Sequence, residues 1–165
     1  MRYRIVTGAL IAGLALSGCV SAESEQSSQG AEPDPTVVCT LTSPQELALL
    51  FDSQFYEANV VPSDDETVKC RWAASDSLVP AFVSTEVRSG GRQAFEQART
   101  EQQKEAGVVT VTKVKGAQRA FLVPLTKTIG MQVGDTYAQI TLGIGGASAG
   151  DLERMAEKAA SRAAG

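Results

Sequence analysis

The chain has 165 residues, with 15 Lys+Arg against 19 Asp+Glu and no histidine. This length suits one domain plus a tether, and the missing histidine excludes Ser-His-Asp and Cys-His catalysis, His-ligated zinc and a histidine pH switch. The acidic balance, with no basic motif interleaved by aromatics, argues against nucleic acid as a partner.

The chain opens with Arg2 and Arg4, a short apolar run from Ile5 to Leu16, and the sequence Leu16-Ser17-Gly18-Cys19. The apolar run is too short to span a hydrocarbon layer of about 30 Å as a helix. A basic start, a short apolar stretch and small residues before a cut site form the layout of a secretory signal. The final four residues read as a lipobox, so residues 1–18 are expected to be a lipoprotein signal peptide. Cys19 is then the lipidated first residue of the mature chain, carrying palmitate-type acyl chains. Two or more chains hold a protein stably on a membrane where one does not. The expected location is therefore the extracytoplasmic side of the cell membrane, with the membrane reached through Cys19.

Loss of residues 1–18 leaves 13 basic against 19 acidic residues, a net charge of −6. Cys19 to Val68 contains no Lys or Arg and ten acids, whereas Lys69 onward carries 13 basic and nine acidic residues. An acidic tether is repelled by an anionic surface, which favours a domain standing off the bilayer. Residues 19–36 comprise the lipidated cysteine and a Ser/Glu/Gln/Pro-rich stretch with almost nothing to bury, expected to be a disordered spacer reaching roughly 25 Å. Cys39 and Cys70 then form an even pair in a compartment where disulfides persist, and are expected to bridge. The two lack the CxxC spacing of a redox-active pair. Closing this loop is worth about 3.5–4 kcal/mol on the chain-entropy model.

The folded domain is expected over 37–165. Ser43-Pro44-Gln45-Glu46 is a capping box with proline at the first helical position, Ser43 capping the amides and Glu46 reaching back. Leu47, Leu50, Phe51 and Phe55 continue at helical spacing, which predicts a helix over 44–56. Residues 60–67, with Pro62, Ser63, Asp64 and Asp65, read as a loop. Strands are predicted over 68–73, with Cys70 and Trp72 on one face, and over 81–88, with Ala81, Val83, Thr85 and Val87 on one face. Trp72 is expected to pack over the Cys39–Cys70 bridge. A helix over 92–106 presents the stripe Ala94, Phe95, Ala98 and stops at Gly107. Strands follow over 108–114, 120–125 (Phe121, Val123 and Leu125 together), 128–133 and 137–142, the last two joined by a Gly134-Asp135 hairpin. A helix over 151–164, with Leu152, Met155, Ala156, Ala159 and Ala163 inward, closes the chain. This order predicts an α+β domain, an antiparallel sheet of about six strands with helices packed on one face.

The chemistry-bearing segments are few. Gly143–Gly150 precedes a helix but lacks the lysine of a phosphate loop, and reads as a connector. Asp64-Asp65-Glu66 lacks the spaced oxygens that calcium needs, and reads as a solvated turn. Glu46, Glu57, Glu86 and Glu96 are the carboxylates that an envelope hydrolase would use, but eight aromatics remain in the mature chain and most are assigned to the core, which leaves little to stack on a sugar. Lys113, Lys115, Arg119 and Lys127 fall on the hairpins between Val108 and Ile129 and form the expected interaction surface for an acidic partner or lipid headgroups. The reading is a non-enzymatic binding or protein-interaction domain without cofactor or metal, facing an envelope protein or lipid. The alternatives are a carboxylate hydrolase and a lipid carrier.

One combined pattern carries a family resemblance: the lipobox, the acidic tether, Cys39-Thr40-Leu41-Thr42-Ser43-Pro44-Gln45-Glu46-Leu47 and Cys70-Arg71-Trp72. It resembles the small actinobacterial cell-envelope lipoproteins grouped as a domain of unknown function. The resemblance covers 37–165 and implies the disulfide and an α+β domain similar to the PsbP/Mog1-like sandwich. It supplies no catalytic residues.

Overall fold

The Ser43-Pro44 signal starts a helix where its spacing predicts. Ser43 is extended and its side chain accepts from the Glu46 amide at 3.2 Å, with proline in the first turn. In the computed structural model, which describes residues 35–52, 54–64, 67–74, 82–143 and 148–164, this helix is Pro44–Phe51 (α2) and a six-residue helix, Pro35–Thr40 (α1), precedes it. The expected signal peptide, Cys19 and the tether up to residue 34 lie outside the described residues, as do Asp65, Glu66 and residues 144–147. α1 begins at Pro35, a residue suited to a helical first position. The helix predicted to 56 also stops sooner, because Asp52 turns left-handed (φ 49°) and ends it. Phe55 instead opens a strand, where it stays buried and its ring sits 6.1 Å from that of Phe51.

The strands are Phe55–Asp64 (β1), Thr67–Ala74 (β2), Phe82–Ser89 (β3), Thr110–Thr112 (β4), Arg119–Val123 (β5), Thr128–Val133 (β6) and Thr136–Gly143 (β7). They form one antiparallel sheet in the order β1-β2-β3-β7-β6-β5-β4. The helix Gly91–Ala106 (α3) carries the chain from β3 to the far edge, and Ala149–Ala163 (α4) closes it. The segment 60–67, expected as a loop, belongs largely to β1. Its Pro62 pairs with Val68 at the sheet edge, where a proline deprives no further strand of a donor. Among the described residues no helix is long and apolar enough to cross a membrane.

The α+β class and the antiparallel sheet agree with the sequence, but the helices divide between the two faces. Val38, Leu41 and Leu47 of the N-terminal segment and Leu152, Met155, Ala156, Ala159 and Ala160 of α4 cover the face bearing Cys70, Trp72, Val83, Ile129, Met131, Ala138 and Ile140. On the opposite face α3 lays Ala94, Phe95 and Ala98 against Phe121, Val123 and Tyr137. The reason is visible in the strands: β5 is apolar on both sides and Tyr137 of β7 adds to the second, so each side needs cover. Gly130 lies beneath the aromatic group; a Cβ there would stand 2.4 Å from Phe121 Cζ and 2.8 Å from the Tyr137 hydroxyl.

Two further expectations change at the sheet edge. The strand predicted over 108–114 shrinks to β4, with Val108 and Val111 exposed and Val114 turned into the core. Leu125 is 77% exposed rather than aligned with Val123, because β5 ends and residues 124–127 turn away.

α1 is fixed to the sheet at two adjacent points. Cys39 and Cys70 are bridged, with Cα atoms 5.3 Å apart. Thr85, the cross-strand partner of Cys70, donates to the Val38 carbonyl at 2.8 Å. Cys70 and Trp72 share the buried face, as their alternation predicts.

Candidate functional site: a cation-rimmed groove between α2 and α4

α4 begins at a capping box: Ser148 Oγ accepts from the Asp151 amide at 3.1 Å, and the Asp151 carboxylate accepts from the Ser148 amide at 2.8 Å. That backbone hydrogen bond, followed by those from the Ser148 hydroxyl and Arg154, holds the Asp151 carboxyl below its ordinary range. From this start, the 3.6-residue period sends Leu152, Met155, Ala156 and Ala159 inward and places Arg154, Lys158 and Arg162 along one outer stripe.

That stripe borders a groove of about 250 Å³. Leu41, Leu47, Leu50 and Met155 supply its apolar lining, and Leu49, 89% exposed, stands at its edge. Arg154, Lys158, Arg162, Thr42 and Glu46 complete it. Glu46 does not reach back to its own helix amide as the capping-box reading expects. Its carboxylate accepts from Arg162 at 2.6 Å and lies 3.4 Å from Lys158 Nζ. The Arg162 hydrogen bond is the leading cause that lowers the Glu46 carboxyl below its usual value and raises the guanidinium. Arg162 also donates to the Leu41 carbonyl at 2.8 Å, so α4 braces the junction between α1 and α2. Arg154 pairs with Asp151 of its own helix.

Of the residues expected to form a basic surface, Lys113, Lys115 and Arg119 fall at one end of β5 and Lys127 at the other. Lys113 and Lys115 are exposed in the β4–β5 connection, where Gly116 approaches Ala160 of α4. Arg119 lies on the α3 side and pairs with Glu96 at 2.7 Å. Lys127 sits in the turn after β5, a strand's length of roughly 16 Å from Arg119. Sequence order placed these four on neighbouring hairpins, but successive turns fall at opposite ends of the sheet, which parts Lys127 from the other three.

The candidate carboxylates are likewise dispersed. Glu86, 6% exposed, is held by Lys69 at 3.1 Å and Arg88 at 2.6 Å. Arg88 continues to Glu101 at 3.2 Å and lies over the Tyr137 ring, 5.7 Å from its centre. Burial first, then the charge of Glu86, pushes the Tyr137 phenol far up, and its hydroxyl donates to Gln139 at 2.6 Å. Glu96 pairs with Arg119 and Arg99. Glu57 lies in β1, with its side chain outside the described set. Among the described residues no group of three His, Cys, Asp or Glu side chains is arranged to hold a metal. Phe82 lies on the polar side of β3, under the Arg71 guanidinium (4.1 Å) and hard against Gly143.

The groove was not visible as a site in the sequence. The one local signal available is the Arg154/Lys158/Arg162 spacing of four, which reads equally as a solvated helix face. No family model, curated protein or solved structure matches this chain.

Proposed function

We propose that the protein is a lipid-anchored, non-enzymatic binding domain of the cell envelope, acylated on Cys19 and using the groove between α2 and α4 as its binding surface. The observation that carries the anchor is Leu16-Ser17-Gly18-Cys19 following two arginines and a short apolar run. The domain itself supports the binding half of the reading. Its described carboxylates among the four candidates are each engaged by cations, while the groove combines apolar lining with few polar groups, the usual composition of a ligand site. The same reading makes it a relative of the cell-envelope lipoproteins its N-terminal motifs resemble, with the PsbP/Mog1-like sandwich as its architecture.

The test is metabolic labelling with radioactive palmitate, joined to intact-mass measurement. The native protein is expected to carry label and to have lost residues 1–18. Cys19→Ala is expected to carry none and to keep residues 1–18. An unlabelled native protein retaining its first eighteen residues overturns the anchor.

A further inference from the structure

We infer that the groove takes a single-chain fatty carboxylate, its tail along the Leu49/Leu50/Met155 side and its headgroup between Arg154 and Lys158. The inference rests on the binding reading above and names the ligand class. Three observations carry it. First, the lining holds three cations and one carboxylate, and that carboxylate is committed to the Arg162 end at 2.6 Å. Lys158 lies 3.4 Å from Glu46 and is 63% exposed, while Arg154 is 68% exposed and among the described residues pairs with Asp151 of its own first turn. Residues four apart on a helix bring their Cβ atoms within about 6 Å, a spacing that two oxygens of one carboxylate bridge with charge-assisted hydrogen bonds.

Second, the edge of the groove is apolar where solvent reaches it. Leu49 is nearly fully exposed beside half-buried Leu50, so an aliphatic tail finds surface that gains by being covered. Third, the groove is small. At about 250 Å³ it falls just below the ~300–1,000 Å³ of ordinary small-molecule pockets, which suits one slender chain better than a two-chain lipid. A bare inorganic anion would leave the leucines unused, and a neutral alkane would leave the cations unmatched.

The experiment uses the full acylated protein in phosphatidylcholine nanodiscs and a dodecanoate bearing a diazirine near its tail end, compared with the matching dodecanol. Crosslinks are located by peptide mass spectrometry. Dodecanoate is expected to label the 41–50 and 154–162 segments at least tenfold more than dodecanol. Arg154→Glu with Lys158→Glu is expected to reduce carboxylate labelling at least tenfold and leave alcohol labelling unchanged. Leu49→Asp, at a position outside the core, is expected to reduce both, with far-ultraviolet circular dichroism and thermal unfolding confirming that the variant is folded. Equal labelling by acid and alcohol, labelling outside these segments, or full displacement by inorganic phosphate overturns the proposal. Intact mass in the same sample separates the two readings: acylated protein without groove labelling removes the fatty carboxylate alone, and unacylated protein with groove labelling removes the anchor alone.

Discussion

The two faces of the sheet solve the same burial problem with different chemistry. The face covered by α1, α2 and α4 is assembled from aliphatic side chains and small alanines, and its N-terminal part is held by a disulfide and a threonine-to-carbonyl hydrogen bond. The face covered by α3 relies on three aromatic rings, Phe95, Phe121 and Tyr137, with centres 5.3–6.4 Å apart, and its outer part is a chain of ion pairs from Lys69 to Glu101. The difference teaches where a groove can exist. Aromatic rings over Gly130 close the α3 face by shape, whereas α2 and α4 are bridged at Glu46–Arg162 and leave a channel beside the bridge.

The largest test removes the aromatic unit. Phe121→Ala is expected to cost about 3–5 kcal/mol, with native-state hydrogen exchange rising first in α3 and last in α4. Equal acceleration of both helices would mean that the two faces are one cooperative unit. The double variant Cys39→Ala/Cys70→Ala addresses the other face. On the chain-entropy model it costs about 3.5–4 kcal/mol by denaturant unfolding, and α1 and α2 should exchange fastest while the aromatic face keeps its protection. A smaller loss, about 1 kcal/mol, is expected for Ser148→Ala, which removes the side-chain cap of α4, and it should appear as faster exchange in that helix's first turn.

The smallest effect sharpens the groove side. The Glu46 carboxyl is lowered from its ordinary 4.5, so its stabilisation is present above the unfolded value and is lost as pH falls through the lower folded value. Glu46→Gln is expected to cost roughly 0.5 kcal/mol at pH 7, less in high salt because the pair is partly solvated. It should also flatten the loss of stability that the native protein shows below about pH 4, measured by urea unfolding across pH.

Local signals in the sequence were sound where one element decides the outcome. Ser43 capped its helix, the Ala94/Phe95/Ala98 stripe faced inward, Gly107 stopped α3, and Gly134-Asp135 made a hairpin with Gly134 at φ 57°. The errors share a cause. Phe55 fits helical spacing, but Asp52 turned the chain; the Pro62 segment reads as loop, but an edge strand tolerates proline; Glu46 has a capping partner, but a guanidinium 116 positions away competed better. In each, a contact distant in sequence outweighed a local preference.

By itself the sequence determined the α+β class, the buried faces of α3, α4, β2 and β7, the pairing of Cys39 with Cys70 and the N-terminal motif on which the anchor reading rests. These depend on periodicity, counting and short motifs, which survive without knowing which elements touch. Tertiary structure alone decided that α3 covers the opposite face, that Lys127 lies at the other end of β5 from Lys113, Lys115 and Arg119, and that Arg154, Lys158 and Arg162 line one groove with the leucines of α2. Those outcomes depend on how strands order across the sheet and how two helices 100 residues apart lie side by side, and no local propensity encodes that.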